Sequence, residues 1–192
     1  MHITITGKSG SGKSSIAKYL TSIDERFIYL DIDTVGHIIL EEEEIAKKVS
    51  KEFKIPLNEK KQIDRKILGS IVLNDEEKMK RYSDITWSLM EQTIDKFIKN
   101  NKDKIVILDW ILIPKTKYFK ESIFNILVTS DLEERKKRAI LRDHITEEKF
   151  MERENASIEF DESQFDFILE NKNFNKTKGL VKKIYDKSIN TW

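Results

Sequence analysis

The residues Gly7-Lys8-Ser9-Gly10-Ser11-Gly12-Lys13-Ser14 fit the pattern G-x-x-x-x-G-K-[ST] at every fixed position. They lie between an apolar run, Ile3-Thr4-Ile5-Thr6, and a helical pattern that opens at Ser14. Glycines let the backbone curl, so the N–H groups from Gly7 to Ser15 are expected to point into one concavity suited to anionic oxygens. The helix that follows adds the positive end of its dipole. Lys13 is expected to reach the β- and γ-phosphates of a nucleoside triphosphate, and the Ser14 hydroxyl to ligate Mg²⁺. A flexible Gly/Ser turn is the competing reading, and the strand-then-helix setting weighs against it.

Phosphoryl transfer also needs a positioned acceptor and cations over the migrating charge. Asp31 and Asp33 close the run Leu30-Asp31-Ile32-Asp33. Strand alternation would place both carboxylates on one side beyond the sheet edge, one accepting a proton from the attacking hydroxyl and the other tuning it. Capping the next helix or sitting in water is the alternative. Asp109 ends the run Ile105–Leu108, where P-loop proteins keep a carboxylate near the Mg²⁺ shell; otherwise it is structural. Arg135, Arg138, Arg142 and Arg153 stand among the carboxylates of 132–160. Arg138 and Arg142 are four apart on one helix face and could close over bound phosphates as permanently charged, bidentate donors. Solvation or pairing with nearby glutamates competes with that role. His2, His37 and His144 lack metal-ligand spacing; His37 falls one helical turn beyond Asp33.

These groups need a scaffold. Five short apolar runs, His2–Thr6, Phe27–Asp31, Lys104–Asp109, Asn125–Thr129 and Phe165–Leu169, are continuous rather than alternating, the signature of strands buried on both faces of a parallel sheet. Helical patterns separate them, predicting an α/β fold with repeated crossovers in one 192-residue domain. Asn74-Asp75-Glu76-Glu77 reads as a capping box for a long helix, Ser130-Asp131-Leu132-Glu133 and Thr146-Glu147-Glu148 open two more, and 177–189 closes the chain as a helix. Glu41–Glu44 ahead of Lys47 and Lys48 reads as a solvated helix face. The helical stretch between strands two and three, about 34–103, is too long for a plain crossover and predicts a subdomain over the carboxyl edge of the sheet, where ligands of such sheets bind. Residues 132–160 read as a lid.

Lys and Arg total 35 against 34 Asp and Glu, so no global field favours nucleic acid or a membrane surface. With no cysteine, disulfides, thiolate metal sites and cysteine nucleophiles are excluded. With a first strand expected at His2, no targeting peptide is expected ahead of it, and no apolar run reaches membrane-spanning length. The expectation is a cytoplasmic protein.

Taken in order, these landmarks resemble the dephospho-coenzyme A kinase family, P-loop kinases that phosphorylate the ribose 3′-hydroxyl of dephospho-CoA with ATP. The similarity runs over about residues 3–185. Leu30-Asp31-Ile32-Asp33-Thr34-Val35-Gly36-His37 looks like the family D-x-D segment, which implies Asp33 as the base. Ile63-Asp64-Arg65-Lys66-Ile67-Leu68-Gly69-Ser70-Ile71-Val72 is similar to D-R-x-x-L-G-x-I-V, a stretch general nucleotide kinases lack. Arg138, Arg142-Asp143, Thr146-Glu147-Glu148 and Arg153 look like the lid. Phe165-Asp166-Phe167-Ile168-Leu169-Glu170-Asn171 resembles the strand beside which adenine is held, implying Asn171 near the base. The resemblance implies a five-stranded parallel sheet, Lys13, Asp33, Arg138 and Arg142 in catalysis, and Asp31, His37, Arg65 and Asp109 on the substrate side. Arg65 is expected to meet an acceptor phosphate. ATP and Mg²⁺ are the expected cofactors, dephospho-CoA the partner, and a monomer or weak homo-oligomer the state. Two segments depart from the family: Trp87-Ser88 replaces His-Pro, and Asp109-Trp110-Ile111-Leu112-Ile113-Pro114-Lys115 lacks the expected proline and glutamate at Ile111 and Lys115. Both lie on the acceptor side, so another small acceptor, or a nucleotide-binding paralogue without transfer activity, stays open.

Overall fold

The strands are β1 (His2–Thr6), β2 (Phe27–Asp31), β3 (Ile105–Asp109), β4 (Asn125–Thr129) and β5 (Phe167–Glu170). All neighbours pair in parallel, in the order β2-β3-β1-β4-β5. In this computed structural model every residue is described except Leu73, Asn74, Asn173 and Trp192, and every side chain except theirs and those of 174–176. The helices are α1 (Lys13–Ile23), α2 (Ile32–Ile39), α3 (Glu43–Phe53), α4 (Arg65–Val72), α5 (Glu76–Asn100), α6 (Lys117–Lys120), α7 (Leu132–Asp143), α8 (Glu147–Asn155) and α9 (Phe174–Thr191). Among the described residues no helix is long and apolar enough to cross a membrane.

Two compact units divide the chain: 1–31 with 100–192, and 32–99. In the first, β1 and β3 are buried along their whole length, as continuous apolar runs in a central parallel sheet require. Ile3, Ile5, Ile107 and Ile126 share a cluster with Ile16 and Leu20 of α1 and Val181 and Ile184 of α9. Each such side chain contributes about 1.5–3 kcal/mol on burial. The polar Thr4 sits in this interior because its hydroxyl donates to the Asn125 side-chain oxygen at 2.5 Å. From β1 the chain passes outward to β2, returns to β3, then crosses to β4 on the other side of β1. The strand order therefore reverses beside β1, and the crevice at its carboxyl end is where such sheets bind ligands. Residues 7–12 leave β1 at that end.

The second unit, 32–99, is helical throughout its regular structure. It buries Val35 and Ile39 of α2, Ala46 and Val49 of α3, Leu68 and Val72 of α4 and Met90 and Ile94 of α5. Arg81 of α5 pairs with Glu52 of α3 at 3.1 Å. Glu43 and Lys47 form the expected i,i+4 pair at 2.7 Å, while Glu41 and Glu42 precede the helix. Asp64 caps α4, its Oδ1 accepting from the amides of Lys66 (2.8 Å) and Ile67 (3.2 Å).

Several boundaries differ from the sequence expectation. The long helix is capped by Asp75, whose Oδ1 accepts from the Lys78 amide at 3.0 Å; Asn74 lies outside the described residues. β3 starts at Ile105, since the Lys104 amide is taken by a turn to Asn101. β5 covers 167–170 rather than 165–169: the Phe165 amide closes the 3-10 turn Glu162–Gln164, and the Asp166 carboxylate accepts from the Asn125 amide at 2.8 Å. Thr146 caps α8 by accepting from the Lys149 amide, whereas Asp131 precedes α7 without a side-chain cap bond. The closing helix begins at Phe174, ahead of the expected residue 177.

Candidate active site

The loop between β1 and α1 needs backbone that side chains rarely adopt. Gly10 and Gly12 have φ of +78° and +94°. A Cβ on Gly12 would strike the Asn171 amide, and one on Gly10 the backbone of Arg135. The Ser11 amide folds back onto the Lys8 carbonyl at 3.1 Å, tightening the curl. Gly12 precedes α1 without any side-chain cap bond. In the first turn the Ser15 and Ile16 amides bond to the Gly12 carbonyl, each at 3.1 Å, and the Lys13 and Ser14 amides ahead of them lie at the helix opening, the end that binds anions.

Beneath the loop, the first turn of α1 and the strands β2 and β3 deliver a compact cluster. The Ser14 hydroxyl donates to Asp109 Oδ2 at 2.7 Å, and the Lys13 ammonium stands 3.6 Å from Oδ1. A third group was missed in the sequence: the Tyr29 hydroxyl donates to the same Oδ2 at 2.9 Å. Tyr29 lies two residues before Asp31 on one face of β2, so the alternation applied to the aspartates could have found it. Asp109 is 2% exposed. Burial is the main cause pushing its carboxyl above the usual range, opposed by the Lys13 charge and the two hydroxyls; nearby Asp31, paired with it in register, adds to the rise. Burial likewise pushes the Tyr29 phenol up, helped by the Asp109 charge. Asp109 Oδ1 is buried without a hydrogen-bond partner among the described residues. A serine hydroxyl beside a carboxylate oxygen of this kind fits a small, hard cation held mainly through phosphates.

The arginines divide their work. Arg138 sends its guanidinium to the end of β5: Nη1 and Nη2 each donate to the Asn171 carbonyl at 3.2 Å, and Nη1 to the Ser130 hydroxyl at 3.2 Å. The Asn171 side chain is buried, donating to the Ser11 carbonyl at 2.8 Å and accepting from the Thr177 hydroxyl at 3.3 Å. Gly12, Ser15, Tyr19, Arg138 and Asn171 line a groove of about 530 Å³. Arg142 turns instead to Asp143, with bonds of 2.7 and 3.0 Å, and Arg153 joins it on that carboxylate at 2.7 Å. The Asp143 hydrogen bonds are the main cause raising Arg142 above its ordinary value, with smaller contributions from Asp109 and Asp31. Sharing a helix face thus did not give Arg138 and Arg142 a shared target. Arg135 is buried, bidentate to Glu154. Lys8, expected at the phosphates, contributes its backbone to the loop while its ammonium pairs with Glu154 and Glu159.

The remaining expected residues lie in the helical unit. Asp33 is in the first turn of α2 and His37 in its last turn; both are exposed, as is Arg65 at the start of α4. The alternation argument for Asp31 and Asp33 is corrected here: β2 ends at Asp31 and the helix begins at Ile32, so the two carboxylates do not share a strand face.

A family model described as dephospho-CoA kinase matches residues 1–176. The dephospho-CoA kinase of Aquifex aeolicus is 31% identical over 193 residues, covering 96% of this chain and 95% of its own. That of Fusobacterium nucleatum is 30% identical over 149 residues, covering 77% and 76%. A crystal structure from Thermus thermophilus matches with a TM-score of 0.81 at 25% identity over 97% of each chain. A dephospho-CoA kinase from Campylobacter jejuni has the same fold, with a TM-score of 0.62 at 24% identity over 97% and 96%.

Proposed function

The chain belongs to the dephospho-CoA kinase family, and on that premise we propose that it transfers the γ-phosphoryl group of ATP to the ribose 3′-hydroxyl of dephospho-CoA, completing coenzyme A. The observation that carries the reading is the convergence of Lys13, Ser14 and Asp109 beneath a positive-φ glycine loop. That is donor chemistry: amides from Gly7 to Ser15 and the Lys13 ammonium hold the phosphates. The Ser14 hydroxyl, with Asp109 beside it, is the place for Mg²⁺. The ion, when bound, supplies positive charge to the phosphate oxygens. The groove at Gly12, Arg138 and Asn171 takes the nucleobase, its arginine held flat by two bonds to one carbonyl.

Asp33 takes the proton of the ribose hydroxyl as its oxygen bonds to the γ-phosphorus and the bond to the ADP oxygen breaks. Arg142 stabilises the migrating charge, whereas Arg138, expected to share that role, serves the base groove, and the 132–160 segment excludes water that would waste ATP. Asp31, His37 and Arg65 serve the acceptor, Arg65 at a phosphate, and 34–103 is the acceptor-binding insertion. The protein works in the cytoplasm as a monomer or weak homo-oligomer. ATP consumption measured with dephospho-CoA, with a nucleoside panel and with no acceptor tests the reaction. Turnover with dephospho-CoA alone is expected; turnover with a nucleoside, or with none of them, refutes it. Asp33→Asn tests the base: kcat falls by about 100-fold or more while nucleotide affinity stays the same.

A further inference from the structure

Outside the phosphate cradle, a charged cluster joins three parts of the first unit that are far apart in sequence. Glu154 of α8 accepts two hydrogen bonds from Arg135 of α7, at 2.6 and 2.8 Å, and one from Lys8 of the phosphate loop at 3.3 Å. Arg135 also donates from Nε to the Ser130 carbonyl at 3.1 Å, in the lead-in to its own helix, and its Nη1 reaches the Ser9 carbonyl of the phosphate loop at 3.5 Å. Gly10 lies so close to the Arg135 backbone that no side chain fits between them. The Lys8, Ser9 and Gly10 positions are therefore braced from behind by two helices, with Glu154 at the junction.

We infer that Glu154 is a positioning residue for the donor site: by bridging Lys8 and Arg135 it holds the outer wall of the phosphate loop in its binding shape before ATP arrives. The inference rests on the reading of this loop as the ATP site. A loop already held in shape loses less conformational freedom on binding, so the bridge appears as nucleotide affinity. Lys8 has a second partner, Glu159, at 2.6 Å, but that side chain is 87% exposed and its attraction is screened. Glu154 is 13% exposed and faces two cations, so it governs the cluster. The Arg135 hydrogen bonds are the main cause holding its carboxyl below the usual range.

The test is ATP binding by titration calorimetry on Glu154→Gln, Glu154→Asp and Glu159→Gln, with circular dichroism to check folding and steady-state kinetics alongside. Glu154→Gln should weaken ATP binding about tenfold, the scale of one charge-assisted hydrogen bond. Glu154→Asp keeps the charge but loses reach, and should fall between Gln and wild type. Glu159→Gln should stay within about twofold of wild type, as expected for an exposed pair. The acceptor KM should not move in any of them. Folded Glu154 variants that bind ATP as wild type does would overturn the inference, as would an equal shift in acceptor KM. If Glu154→Gln does not fold, Glu154→Asp decides by the same criterion. Failure of the wild type itself to bind ATP would instead refute the functional reading beneath it.

Discussion

Replacing Tyr29 by Phe removes one hydroxyl and leaves the ring, so no cavity opens. The lost group is a 2.9 Å donor to Asp109 Oδ2, an atom that otherwise accepts only the Ser14 hydroxyl among the bonds described. Water does not readily take its place, because Asp109 is 2% exposed. A hydrogen bond to a charged group contributes about 1.5–3 kcal/mol, and its loss leaves the buried acceptor undersatisfied. Lys13, 3.6 Å from the other oxygen, offsets part of this, so about 1.5–2 kcal/mol is the expected net cost. Expressed in catalysis, that is roughly 10- to 30-fold in kcat/KM for ATP. Expressed in the fold, it lowers Tm by about 3–8 °C for a chain of this size. Coupled ATP turnover at saturating dephospho-CoA and a thermal melt read the two effects. If both kcat/KM and Tm stay at wild-type values, the hydroxyl does not support Asp109 and the cluster reasoning is wrong.

Two further outcomes follow from the same geometry. Gly12→Ala places a methyl group against the Asn171 amide at φ +94°, so ATP binding measured by calorimetry should be lost while circular dichroism still shows a folded sheet. The Glu154 carboxylate has a depressed folded-state pKa, so its contribution to stability is complete above its ordinary value of 4.5 and is lost as pH falls through the lower folded value. Melts of wild type and Glu154→Gln should therefore show a constant Tm gap from pH 7 to about 5 that narrows below 4.5; a gap independent of pH would contradict the pairing.

The donor half of the site was legible because its information is local. Gly12, Lys13 and Ser14 are neighbours in sequence, and the glycine-to-helix step fixes where each points. The central strands were equally plain, since burial on both faces leaves an unbroken apolar run at Ile105–Leu108. Errors arose where hydropathy was asked to set a boundary. Phe165 is as apolar as any strand residue, yet its amide closes a 3-10 turn. Asp33 was given a strand's periodicity although the helix had begun one residue earlier. Alternation could have put Tyr29 on the face of Asp31 but not paired it with Asp109, 80 positions away, and the Glu154 partners lie 19 and 146 positions away, where no local spacing encodes a pair. Arg138 and Arg142 show the converse limit. Helical spacing predicts a common face correctly, but flexible side chains choose their own acceptors from what surrounds that face.

Asn171 gives the fold a temporal consequence. Its amide holds the Ser11 carbonyl across 160 positions, and Thr177 in turn holds Asn171. The segment that meets the nucleotide leaves the ribosome well before the clasp that finishes it. A growing polypeptide therefore carries the full motif through the synthesis of those 160 positions without this clasp, and the finished loop waits on residues translated long after it.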